Sequence, residues 1–137
     1  MITLTQLAGP WSRHPDWTPE RAENGVRLLA ACTDLESEMA AAGVVFPVSH
    51  KTGSQVGGDL YGGFRPQSCP QGAAHSAHKE GLAVDRYDPF GDIDSWLMTH
   101  QDALERHGIY IEHSNATPGW SHWTIRPPIS GHHVFLP

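Results

Sequence analysis

An α+β fold in one domain is what this chain of 137 residues predicts, and three observations predict it. A long stretch after Thr18 carries apolar residues at helical spacing, and several short runs elsewhere are β-branched and aromatic. The two kinds of segment do not alternate in the regular strand-helix-strand order of a parallel sheet. The length suffices for one hydrophobic core, and no internal repeat or low-complexity tract divides it.

Residues 1–17, with two Pro and two Trp and no steady period, read as an irregular lead-in that packs its indoles onto the domain. A helix then begins. Thr18 is a suitable N-cap, Pro19 suits the first helical position, and Glu20 in the first turn suits the helix dipole. Leu28, Cys32, Leu35 and Met39 share one face, and Gly43 supplies the left-handed stop. Val44-Val45-Phe46-Pro47-Val48 suggests a buried strand, with Pro47 marking an edge or an exit. From Ser49 to Gly63 small and polar residues dominate, so the stretch is expected to be a mobile loop, either a substrate-gating flap or a plain insertion.

Residues 66–77 continue as loop, and 82–87 alternate as a strand carrying Asp85. Asp92 is placed as the cap of a second helix over 93–107, with Ile93, Trp96, Leu97 and Leu104 as its apolar stripe and Gly108 as its stop. Strands are expected at 109–112 and 120–126, joined as an antiparallel hairpin through His113 to Gly119, so that Glu112 returns close to His122. Val134-Phe135-Leu136 is a weak last strand.

The net charge of -6 leaves no broad basic surface, so nucleic acid is not an expected partner. No stretch approaches the roughly 18 apolar residues of a membrane span. Met1 to Gln6 lacks the order of a signal peptide, which points to a soluble product of the cytoplasm. The chain is expected to be a monomer. Cys32 and Cys69 have no motif spacing and imply no disulfide framework; Cys32 fits a packed helix face, while Cys69 is either an ordinary loop thiol or a neighbour of the site below.

That site is the most informative feature. His78 and Asp85 stand seven positions apart around Gly81, and His122 follows inside Trp120-Ser121-His122-Trp123. Zinc takes imidazole nitrogen and carboxylate oxygen, and a catalytic site keeps three protein ligands so that water fills the fourth position. Two His and one Asp meet that count. His75 is either a further ligand, a group that orients one, or a plain loop residue. Along a strand Trp120 shares a face with His122, as a wall for substrate, and Trp123 turns to the core.

Ser76, His78, Gly81, Ala83 and Asp85 occupy all five fixed positions of the pattern Ser-x-His-x-x-Gly-x-Ala-x-Asp. In this the chain resembles the zinc D-alanyl-D-alanine metallopeptidases, a bacterial and phage family that cuts peptidoglycan peptides and shares a fold with the hedgehog signalling domain. Gly63-Phe64-Arg65-Pro66 is similar to the family's small-aromatic-Arg segment, and Trp120-Ser121-His122 to its last ligand segment, so the resemblance covers residues 44–137 in the family's order.

The resemblance implies a small antiparallel sheet with flanking helices and zinc on His78, Asp85 and His122. It implies hydrolysis of stem or cross-bridge peptides, by a D,D-carboxypeptidase or an endolysin-like endopeptidase of phage or prophage type. Such an enzyme reaches the wall after release through a phage pore or as a virion component. Arg65 is placed on a substrate carboxylate or oxyanion, or as a loop brace, and Ser76 and Trp120 at the substrate. The family often carries an acid three residues before the last ligand, or a His two before it; Gly119 and Trp120 stand there instead. Glu112 is therefore the candidate general base, with His113 as second choice. The gap leaves open a catalytically impaired zinc-containing domain that only binds the cell wall. A structural zinc domain closed by His75 is a third reading.

Overall fold

The computed structural model describes residues 1–137. Its elements are α1 (Leu4–Ala8), α2 (Pro19–Ala41), β1 (Ala83–Tyr87), α3 (Asp92–Thr99), α4 (Gln101–His107), β2 (Tyr110–Glu112), β3 (Trp120–Thr124) and β4 (Val134–Phe135). Short 3-10 turns lie at Gly9–Trp11, Ala77–Glu80 and Ser114–Ala116. The architecture is α+β, as the sequence implies.

The lead-in is more regular than its sequence suggests. Thr3 Oγ1 accepts from the Gln6 N–H and the Gln6 side chain accepts from the Thr3 N–H, a capping box that starts α1. Both indoles do pack onto the domain. Trp17 lies 4.8 Å from the Phe64 ring, and Trp11 stacks on Tyr61 while donating to the Leu60 carbonyl. Thr18 caps α2 as expected, accepting from the Arg21 N–H. Leu28, Cys32, Leu35 and Met39 form its buried stripe. At its end Gly43 takes φ +91°, and the Val44 N–H bonds back to the Met39 carbonyl.

Val44 to Val48 is extended but is not a strand. Val44 and Phe46 turn to the core and Val45 and Val48 to solvent, so the alternation is present. No neighbouring chain offers a ladder, and Pro47 has no N–H to give one. The Gly-rich stretch is correspondingly less free than a mobile loop. Gln55 and Gly57 hydrogen-bond to Tyr87 and Asp85, Val56 bridges to Arg86, and the Gly62 carbonyl accepts from the Asp85 N–H. The stretch thus covers the outer edge of β1.

The second helix is two. Asp92 does not cap it: Gly91 is the N-cap residue, and the Asp88 carboxylate accepts from the N–H groups of Ile93 and Asp94. At His100 the ladder breaks, where Thr99 Oγ1 and His100 Nδ1 both bond the Trp96 carbonyl, side chains taking a backbone acceptor.

The sheet runs β1-β3-β2-β4. The pairs β1–β3 and β2–β3 are antiparallel, but β4 lies parallel to β2, so the expected all-antiparallel sheet is corrected to a mixed one. The reason is the exit from β3. Pro127-Pro128 ends its pairing, and the chain passes β2 on the side where β2 begins, then enters beside it in the same direction. One sheet face presents Val84, Ile111 and Trp123 to Leu28, Leu35, Ile93 and Leu104 of the helices. No helix is long and apolar enough to cross a membrane.

Candidate metal centre

The opposite sheet face carries Asp85, His122 and Glu112. Asp85 and His122 are direct partners in the β1–β3 register. The backbone groups of Asp85 bond outward, to Gly57 and Gly62, so the pair is a non-hydrogen-bonded one, the type that brings side chains closest. His78 arrives from the 3-10 turn Ala77–Glu80. Ser76 starts that turn by accepting from the His78 N–H, and Gly81 ends it at φ +74°. A Cβ on Gly81 would stand 2.5 Å from the Arg21 carbonyl oxygen, so its backbone angle and its space both demand glycine.

These placements bring three donor atoms together. Asp85 Oδ1 lies 2.9 Å from His122 Nδ1 and 3.3 Å from His78 Nε2, and the two nitrogens are 3.2 Å apart. Ligands bound at about 2.0–2.2 Å to a tetrahedral ion stand roughly 3.3–3.5 Å from one another, so the triangle is near the size such an ion needs. Both imidazoles are buried and the Asp85 carboxylate is nearly so, and the group could hold a metal ion.

Hydrogen bonds outside the triangle set the chemistry of its corners. His78 Nδ1 lies 2.8 Å from the Gly63 carbonyl, an acceptor only, so Nδ1 carries the proton and Nε2 offers its lone pair inward. Burial pushes the His78 pKa down and keeps the ring neutral. His122 is also buried, but its bond to Asp85 and the charges of Asp85 and Glu112 outweigh that and hold its pKa above the ordinary value. Burial opposes ionisation of Asp85 too; His78 and His122 overcome it and keep the carboxyl well below the usual range. Two lone pairs and a carboxylate oxygen converging this closely repel unless a proton or a cation sits among them.

The centre lies in a cavity of about 1360 Å³, whose walls include Ser76, Glu112, Trp120 and Arg65. Arg65 Nη2 reaches Asp85 Oδ2 at 3.3 Å, and its Nε donates to the Tyr61 carbonyl at 2.7 Å. It therefore fixes the carboxylate so that Oδ1 faces the two rings. Glu112 follows the hairpin register past Ile111–Trp123, which sets it beside His122 on the cavity side. Trp123 is buried and donates to Ser121 Oγ, on the core side as expected.

Other candidates lie elsewhere. His75 is exposed and outside the triangle, and the loop thiol Cys69 is buried but also outside it. His113 Nδ1 accepts from the Asn115 N–H and does not line the cavity, so the second-choice base is spent on a turn. The sequence reading passed over Gly63, whose carbonyl orients His78; it stood inside the quoted segment, but a backbone acceptor leaves no residue-type signal. It also passed over Arg86, which lies buried beneath the centre between Phe46 and Trp123 and pairs with Glu36 at 3.0 Å and Gln55 at 3.1 Å. Its place on the Val84 face was readable from strand alternation. No family model matches the chain, and no curated protein or solved structure matches it either.

Proposed function

We propose that this chain is a zinc-dependent peptidase of the D-alanyl-D-alanine metallopeptidase type, hydrolysing stem or cross-bridge peptides of bacterial peptidoglycan. One observation carries the reading: His78, Asp85 and His122 present three convergent donors at the floor of a large cavity that also holds a free-standing carboxylate, Glu112. Zinc bound by these residues supplies Lewis acidity and lowers the pKa of water toward roughly 7. Glu112 takes the proton of the attacking water and passes it to the leaving amine. Arg65 holds Asp85 in its ligating orientation and offers its remaining N–H groups to an oxyanion or a terminal carboxylate, a planar two-donor task. Trp120 and Ser76 line the groove in which the peptide lies. The chain reaches its substrate after release through a phage pore or as part of a virion.

The test is loss of turbidity of purified peptidoglycan, with and without chelator, alongside Glu112→Gln. Chelator-sensitive clearing is expected, and the Glu112→Gln protein should keep its metal while losing at least about a hundredfold in rate, the lower range for a general base. Near-normal turnover in that variant removes Glu112 from the mechanism. A second reading, a zinc-containing wall-binding domain without activity, is favoured by Gly119. It stands where related enzymes often carry an acid and takes φ +91°, a conformation an acidic side chain rarely adopts. Metal-loaded protein that sediments with the wall but clears none of it selects this reading.

A further inference from the structure

Lys51 and Arg126 enter the cavity from two different walls. Lys51 belongs to the segment that covers the outer edge of β1, and Arg126 follows β3 two residues past Thr124. Both are exposed, and neither has a carboxylate within 4.0 Å. Arg21, Arg65, Arg86 and Arg106 are each paired with an acid, and of the five cations that are not, only Lys51 and Arg126 line the cavity. In a chain of net charge -6, these two uncompensated cations face the same cavity.

The charge of the whole cavity points the same way. Its lining holds three cations, Lys51, Arg65 and Arg126, against three carboxylates, Asp59, Asp85 and Glu112. A divalent ion on the His-Asp-His triangle tips this balance to positive, while the rest of the surface stays acidic. A concave positive site in an acidic protein concentrates anions where its walls exclude water.

We infer that the cavity takes a peptide bearing a carboxylate besides the terminal one, the glutamyl α-carboxylate in a stem peptide, and that Lys51 and Arg126 receive it. This deepens the peptidase reading and rests on it. The two side chains act on substrate choice; the reacting atoms belong to the triangle and Glu112.

The experiment uses two synthetic stem pentapeptides, one with the glutamyl α-carboxylate free and its twin with that group amidated. Metal-loaded protein is expected to cleave the acid with KM about fivefold below that of the amide, the scale of one partly solvated ion pair. Lys51→Ala combined with Arg126→Ala should raise KM for the acid to the level of the amide, leave kcat on both in place, and remove the salt sensitivity of the preference. Equal KM for the two peptides in the unaltered protein, or a preference that survives the double substitution, overturns the inference. If neither peptide is cut, the peptidase reading fails by itself. Tryptophan-fluorescence titration with the same pair then decides the charge inference: a preference for the acid that the double variant loses supports it, and indifference overturns it.

Discussion

Asp85→Asn tests the metal centre at its most informative atom. The substitution keeps size and shape but removes the single anionic donor, whose Oδ1 lies 2.9 Å from His122 Nδ1 and 3.3 Å from His78 Nε2. Small zinc sites bind with roughly 10–16 kcal/mol over four ligands, which assigns about 3 kcal/mol to each. That is about a hundredfold in Kd. The amide also leaves the Arg65 guanidinium, now 3.3 Å from Asp85 Oδ2, facing the ion without the charge between them. Loss of affinity should therefore reach about a hundred- to a thousandfold. Competition with a chromophoric chelator at neutral pH measures it, with circular dichroism confirming the fold. An unchanged affinity in a folded Asp85→Asn protein refutes the triangle as a metal site.

Gly81→Ala should cost about 2–4 kcal/mol, since an L-residue at φ +74° is strained and its Cβ would press on the Arg21 carbonyl at 2.5 Å; thermal unfolding reads this as a drop of about 10 °C, and an unshifted Tm contradicts the geometry. Glu36→Gln leaves the buried Arg86 guanidinium without its anion and should destabilise by about 3 kcal/mol in urea titration. Burial pushes the Cys32 thiol up to about 12 from an ordinary value of 9.0. The folded state therefore holds a proton that the unfolded chain releases, so stability is full below about pH 9 and falls as pH climbs toward about 12. The urea midpoint of the unaltered protein should fall more steeply over that window than that of Cys32→Ala; parallel curves contradict it.

Much of the site was legible because its information is local. Ser76 to Asp85 is one short run in which a cap, a turn glycine and two ligand types sit at fixed offsets, and His122 follows on a strand whose alternation is plain. The start and end of α2 were legible for the same reason: Thr18, Pro19 and Gly43 act within one turn of the chain. What escaped depends on partners distant in sequence. Val44 to Val48 has the composition of a strand, but a strand needs a neighbour, and none is placed beside it. The glycines between Ser49 and Gly63 spell a loop, yet their backbones bond to Asp85 across more than twenty residues. The parallel entry of β4 is set by how far the Pro127-Pro128 exit carries the chain, which composition does not encode. The capping box Thr3–Gln6 and the break at His100 had local signals, but weak ones beside the Pro and Trp residues and the apolar stripe around them.

Asp85 and Arg86 are adjacent on β1 and point to opposite sides of the sheet, one toward the ligand triangle and the other into the contacts with Glu36 and Gln55. A strand is too stiff for one of these neighbours to shift while the other stays. Disturbances seeded far off, in the middle of α2, would therefore surface as altered affinity for an ion held at the triangle. A metal bound there would be a gauge for the interior, so variants chosen only to fortify the scaffold need their chelator curve measured together with their melting point.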